Sequence, residues 1–277
     1  MIYLFPHSGL ANRIRVIVSG LHLAEVTQQS LVVFWKKDNS LFCDYADLFE
    51  MDQCISLRKP SIINNLFNTF QNKKEYLFFL KRIYNVDFTL FDKDLPRYVW
   101  NSGSNNINFQ LLPIKIRNYY IATCHEFYFD SIYLKHLRPI EEIRNTIHNN
   151  ILKFSNKTIG VHIRRTDHVD AIRESSLDSF ITIMRERLDV EPNTNFFLAT
   201  DDEQVELYLM KLFPEKIFVH KKQFSRKSVQ GIKDAVVDLY CLAATASIYG
   251  SYFSSFSDIA ARIGNIPLQV IRRDITL

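Results

Sequence analysis

Short apolar runs rich in β-formers alternate along the chain with longer segments whose apolar positions recur every three to four residues. That alternation is the signature of an α/β protein built on parallel sheets. The run 2–5 reads as a strand, followed by a loop through Pro6 to Asn12 and an amphipathic helix from about Arg13 to Thr27. Further strands are expected at 31–35 and 119–125. Between them, 38–118 holds short apolar runs, Lys-rich patches and many Asn, a pattern that predicts loops and short helices. The second half is more regular. Pro139 suits the first turn of a helix reaching about Lys153. Strands then follow at 158–164, 195–200, 217–220, 249–253 and 268–272, with helices at 177–189, 202–213, 230–248 and 256–263. Two domains are expected, 1–135 and 136–277, divided near His136 where the composition changes, the second a Rossmann-like domain in its own right. The length of 277 residues fits two domains of ~150 residues each.

Composition narrows the classes. At 47% hydrophobic and 23% charged, the chain is globular rather than disordered or fibrous. Neither a G-x-G-x-x-G fingerprint nor a P-loop occurs. A net charge of +4 suits a small anionic ligand or an anionic surface and is too weak for nucleic acid. Cys43, Cys54, Cys124 and Cys241 are far apart, so reduced thiols are expected, with neither disulfides nor a zinc site. The short apolar run before Pro6 predicts no signal peptide or anchor. The stretch 239–257 is uncharged, but its Ser, Thr and Gly content and the flanking Asp238 and Asp258 predict a buried helix and strand rather than a membrane span.

Three loops at strand ends carry candidate chemistry, because ligands of open α/β sheets bind beyond the carboxyl ends of the strands. The first holds His7, Gly9, Asn12 and Arg13. Gly9 would allow a tight turn, Asn12 would cap the following helix and Arg13 would sit in its first turn. The second reads His162-Ile163-Arg164-Arg165-Thr166-Asp167-His168. Strand alternation puts His162 and Arg164 on one face, where Arg164 offers a planar fork suited to a diphosphate and Asp167 could brace it. The third is Ser254-Ser255, opening a helix whose free N–H groups form an anion site. Asp201 and Asp202 after strand 195–200 suit an N-cap equally well. Asp238 lies in an apolar helix and needs a polar partner there. With no metal-ligand spacing and no nucleophile elbow, phosphate charge would fall to arginine and helix N-termini.

These residues also form a recognisable series. HIRRTD (His162 to Asp167) resembles the H-x-R-x-x-D motif of the GDP-fucose fucosyltransferase superfamily, and HIRRTDHV is similar to its nodulation and core α1,6 branches. FLATDDEQV, DAVVDLYCLA and YFSSFSDIAARIG resemble the further donor-site motifs in the same order, and GLANR resembles the N-terminal turn. The likeness covers roughly 155–265 well and 1–25 loosely.

The resemblance implies a GT-B fold, two Rossmann-like domains facing a cleft, with an acceptor side in 1–135 and the GDP-sugar held by 136–277. By matched position, Arg164 would bind the β-phosphate and assist departure of GDP, and His162 and Asp238 would contact the guanosine. Ser254 and Ser255 would hold the pyrophosphate, and Gly9, Asn12 and Arg13 would reach the donor from the other domain. Arg165, Asp167, Asp201 and Asp202 fall within the same donor motifs. The adjacent pair Asp201-Asp202 is not the D-x-D metal motif of other glycosyltransferases. The core branch has Lys and an acidic residue where this chain has His168 and Ile172, so that branch's acceptor chemistry does not transfer. His7 and Asp170 are the candidate general bases.

The implied activity is inverting, metal-independent transfer of fucose from GDP-fucose to a hydroxyl of a glycan or lipid-linked glycan. The implied setting is the cytoplasm, with at most peripheral membrane contact, no nucleic acid and no cofactor beyond the donor. Use of another GDP-sugar, or a non-catalytic nucleotide- or carbohydrate-binding role, are the alternatives.

Overall fold

The computed structural model describes residues 1–65, 74–95, 116–166 and 169–273. The chain divides into two compact units, Met1–Arg138 and Pro139–Leu277.

The first unit contains β1 (Ile2–Pro6), α1 (Leu10–Thr27), β2 (Leu31–Phe34), β3 (Ile55–Arg58), α2 (Ile62–Asn65), α3 (Lys74–Tyr84), β4 (Phe88–Phe91) and β5 (Tyr119–Thr123). Its sheet runs β3-β2-β1-β5-β4 and every pairing is parallel. The central strands are apolar on both faces because helices cover both, and Ile2, Leu4 and Phe5 are fully enclosed. Besides helices α2 and α3, two strands thus lie in the region read as loops and short helices. β3 and β4 span four residues each, too few for a period of two to stand out. Helix α1 starts at Leu10 rather than Arg13, with Gly9 in the N-cap position, so Asn12 lies inside the first turn and does not cap it.

The second unit contains α4 (Glu141–Ile151), β6 (Thr158–Ile163), α5 (Val169–Glu174), α6 (Leu177–Val190), β7 (Asn195–Thr200), α7 (Glu203–Leu212), β8 (Ile217–Phe218), α8 (Val229–Ala243), β9 (Ser247–Ser251), α9 (Ser255–Gly264) and β10 (Leu268–Ile271). The order β10-β9-β6-β7-β8, again all parallel, is the doubly wound arrangement. Ile159, Val161, Ile163, Phe180, Met184, Phe196 and Leu198 form its core beneath α6. Helix α8 ends at Ala243, short of the expected 248. The Thr245 hydroxyl donates to the carbonyls of Leu242 (2.7 Å) and Ser247 (3.0 Å), closing the turn so that β9 begins at Ser247. The uncharged stretch 239–257 is therefore a helix end, a turn, a buried strand and the start of α9. Among the described residues no helix is long and apolar enough to cross a membrane. A Cβ on Gly250 would lie 2.8 Å from the Ser257 Cβ, so the bare backbone there lets α9 lie close on β9.

Candidate active site

In the second unit the chain runs outward from β6 to β8 and returns to β9 on the other side of β6. Ligands of doubly wound sheets sit beyond the carboxyl ends at this reversal. Ser251 joins the two strand ends: its hydroxyl donates to the His162 carbonyl (3.2 Å) and accepts the Arg164 N–H (3.0 Å). The His162 ring is buried, stacked on Phe256 at 4.9 Å, with Nδ1 3.5 Å from the Ser254 hydroxyl. Burial, opposed by Asp201 and reinforced by Arg164, Lys222 and Arg226, pushes its pKa down to about 3. The ring is therefore neutral, with one donor and one acceptor nitrogen.

The loop that follows is braced from β7. The register Ile163↔Thr200 sets the next residues of the two strands side by side. Asp201 accepts the Arg165 N–H (2.7 Å) and the Thr166 hydroxyl (2.7 Å), and Arg226 lies 3.5 Å from it. Asp201 thus holds the backbone of this loop; Asp167, expected to brace the Arg164 fork, lies outside the described residues. Asp202 is the N-cap of α7, accepting the N–H groups of Gln204 (2.9 Å) and Val205 (3.3 Å).

Asp238, on α8, is buried. Its Oδ2 accepts the Lys222 ammonium at 2.9 Å, while the enclosed Oδ1 makes no hydrogen bond. Lys222 is also 3.0 Å from Glu206, so one cation serves two carboxylates. Burial raises the Asp238 pKa against the pull of Lys222. For Lys222 itself, burial acts downward but the two carboxylates outweigh it and raise its pKa. Next to this cluster His220 pairs with Asp234 at 3.1 Å, and Asp234 also accepts the Gln223 N–H (2.8 Å). The sequence reading missed Lys222, Glu206 and Asp234, although Asp234 precedes Asp238 by one helical turn and was therefore a readable signal.

Ser254 occupies the N-cap position of α9 but its side chain does not cap the helix, and Ser255 is the first helical residue. Phe253 just before it is 72% exposed with φ of 54°. A bulky residue held in the left-handed region marks stored strain at a loop whose helix N–H groups suit an anion.

The first unit carries a second constellation at its own reversal, between β1 and β5. His7 Nε2 lies 3.0 Å from Asp92 Oδ2, and the other Asp92 oxygen accepts the Thr123 hydroxyl (2.5 Å) and the Cys124 N–H (3.0 Å). The tight turn after β1 is made by Ser8, whose φ is 70°, and not by Gly9, whose φ is −73°. A Cβ on Gly9 would meet nothing within 4 Å. Asn12 donates to the Ser8 hydroxyl at 3.0 Å, leaving its enclosed Oδ1 without a hydrogen bond. Arg13, expected to reach a ligand, is instead fully buried. It donates to the carbonyls of Ser8 (2.8 Å) and Lys36, pairs with Asp38 (3.1 Å) and stacks on Trp35. Asp170 lies on the α5 backbone, and its side chain is outside the described residues.

Among the described residues, two groups, His7/Asp92/Cys124 and Asp52/Cys54/His136, bring potential metal-ligand atoms within 4.8 Å of one another. In each, a His–Asp contact of 3.0 Å already accounts for the closeness.

No protein-family model matches the chain, and no curated protein matches it in sequence. Solved structures do match. A NodZ alpha-1,6-fucosyltransferase soaked with GDP-fucose superposes with a TM-score of 0.63 at 18% identity, over 99% of this chain and 95% of that one. FUT1 of Arabidopsis thaliana in complex with GDP gives 0.62 at 15% identity, over 99% and 70%. POFUT1 in complex with GDP gives 0.55 at 13% identity, over 98% of each chain. The fold is that of the GDP-fucose fucosyltransferases. This GT-B architecture is the one the motif resemblance implied, and its two parallel five-stranded sheets are those described above.

Proposed function

We propose that the protein is an inverting, metal-independent glycosyltransferase that moves fucose from GDP-fucose to a hydroxyl of a glycan or lipid-linked glycan. The observation that carries this reading is the joined end of β6 and β9, where neutral His162, Arg164, Ser251 and Ser254 converge at the ligand-binding edge of a fucosyltransferase fold. Arg164 serves the β-phosphate, where charge grows as the bond to the sugar breaks, so it stabilises the transition state more than the ground state. Ser254, Ser255 and the first turn of α9 take the rest of the diphosphate. The unpartnered Asp238 Oδ1 is an acceptor suited to the N–H edge of guanine, beside His162 as the other guanosine contact. Arg165 and Asp167 belong to the same loop, with Asp201 holding its frame and Asp202 capping α7.

In residues 1–135, assigned to the acceptor side, Asn12 rather than the buried Arg13 is the donor contact, next to Gly9. The proton acceptor is His7 or Asp170. Cytoplasmic work on a lipid-linked acceptor at an anionic membrane face fits the mild positive charge.

The test is a thermal-shift and transfer screen over nucleotide sugars with and without EDTA. GDP should raise Tm far more than UDP, Asp238→Asn should abolish that preference without unfolding the protein, and fucosyl transfer should persist in EDTA. Equal GDP and UDP shifts would remove the guanine assignment. Turnover of a different GDP-sugar would keep the site and change the sugar, while binding without turnover would leave a nucleotide-binding module.

A further inference from the structure

The charged cluster around Asp238 is built more elaborately than a buried ion pair needs. Asp234, one helical turn earlier on α8, accepts the Gln223 N–H (2.8 Å) and the Gln230 side-chain amide (2.9 Å), and lies 3.1 Å from His220 Nε2. It therefore grips the chain on both sides of Lys222. Held in this way, Lys222 enters the interior of the second unit with its side chain only 4% exposed. Its Nζ lies 2.9 Å from Asp238 Oδ2 and 3.0 Å from Glu206 Oε2 on α7. Two buried carboxylates thus face one ammonium, an excess of one negative charge, and the enclosed Asp238 Oδ1 has no hydrogen bond. Such a charge is costly unless a donor or a proton meets it.

We infer that Lys222 is the positioning residue of the base-recognition site: it holds Asp238 by Oδ2, keeps Oδ1 available to guanine, and, shared with Glu206, leaves one negative charge for which guanine and a proton compete. The inference rests on the proposed guanine contact. An ionised carboxylate accepts from both N–H groups on that edge of guanine, whereas a protonated one brings a donor of its own to a partner that offers only donors there. GDP therefore binds the ionised cluster, and at acid pH its binding releases a proton to solvent. The charged or titratable groups around Asp238 are Lys222, Glu206, His220, Asp234 and Cys241, with His162 on β6 beyond Lys222. Burial acts to raise the Asp234 pKa, but His220, Gln223 and Gln230 outweigh it and lower it, so this carboxylate is ionised and already filled. Burial raises the Cys241 thiol, which stays protonated, and His162 is neutral. Acidification therefore places its proton on the Asp238–Glu206 pair, where burial has raised Asp238 against the pull of Lys222.

The test measures GDP and UDP affinities of the full chain by calorimetry across pH, beside Glu206→Gln and Lys222→Met. UDP carries the same diphosphate, so the ratio of the two dissociation constants cancels phosphate titration and reads the base alone. In the wild type this GDP preference should fall on acidification, and buffers of different ionisation enthalpy should report a proton released on GDP binding. Glu206→Gln removes the competing carboxylate and should move the acid limb of the ratio down by about one pH unit or more. Lys222→Met removes the cation and should move the limb up by a similar amount, with the preference at neutral pH reduced ~10-fold or more. Lys222→Arg keeps the charge and should return the limb part of the way. An unmoved limb in a folded Glu206→Gln variant, or shifts in one direction for both variants, would make the cluster a structural ion pair and overturn the inference. So would a limb that vanishes in His220→Gln, because the proton would then sit on the imidazole. A GDP preference constant across pH would overturn this inference and leave the guanine contact standing. Equal GDP and UDP affinities at every pH would overturn both.

Discussion

Asp201 accepts the Arg165 backbone N–H at 2.7 Å across the carboxyl ends of β6 and β7, and the same carboxylate takes the Thr166 hydroxyl. The guanidinium of Arg164 therefore leaves a loop whose backbone is fixed from both sides, by Ser251 on β9 and by Asp201 after β7. Two adjacent aspartates share no task here: Asp201 shapes the loop while Asp202 caps α7.

That division can be measured. Hydrogen bonds to a charged group are worth roughly 1.5–3 kcal/mol, and an N-cap about 1 kcal/mol. Asp201→Ala should lower urea-unfolding stability by the larger amount and also reduce kcat, because the Arg164 loop loses its brace. Asp202→Ala should lower stability by the smaller amount and leave kcat within about twofold, a cap being remote from the chemistry. Equal kcat losses in both variants would show that the pair acts jointly on the donor.

Arg164 itself should behave as a transition-state residue. Arg164→Ala should lower kcat by at least ~10²-fold, the loss seen when one preorganised oxyanion donor is removed. Arg164→Lys should rescue poorly, since an ammonium keeps the charge and loses the fork. Steady-state transfer with circular dichroism for folding checks both. A folded Arg164→Ala variant with near-wild-type kcat would make the cluster a structural ion-pair network.

The second unit was legible because β6 and β7 are buried apolar strands of six residues and its helices are amphipathic. The His162–Arg164 strand end and the Ser254 turn needed only alternation and helix chemistry to place. What was not legible depended on register or on distant partners. The brace from Asp201 to Arg165 follows from the pairing of Ile163 with Thr200, which no local pattern encodes. The Lys222 link between Asp238 and Glu206 joins residues on different elements. Asp92 reaches His7 from the end of a four-residue edge strand in the region read as loops and short helices.

Asp92 predicts a pH dependence of stability. Its folded pKa of about 2 lies below the ordinary 3.8, so it contributes stability that is fully present above 3.8 and lost as pH falls toward 2. Urea midpoints of the wild type should therefore drop across that interval by more than those of Asp92→Asn, which cannot titrate. Parallel curves for the two proteins would mean that the His7, Thr123 and Cys124 contacts do not hold the carboxylate ionised.

Arg13 offers the clearest separation of structure from binding. Its guanidinium is fully buried and supplies the Ser8 and Lys36 carbonyls and Asp38 with donors, while its plane lies over Trp35. Removing one partner of a buried charge network leaves the others desolvated and unpaired, at a cost of about 3–5 kcal/mol. Arg13→Met, which keeps the apolar stem and loses every donor, should therefore lower Tm sharply. Arg13→Lys should recover only part, because one ammonium cannot serve three acceptors held in a planar arrangement. The folded fraction of either variant should still bind GDP at close to wild-type affinity, since the guanidinium has no surface to offer a ligand. Calorimetric GDP titration below Tm, paired with thermal melts, reads the two effects separately. An Arg13→Met protein with unchanged Tm and lost GDP affinity would return Arg13 to the donor contacts that its motif position first suggested.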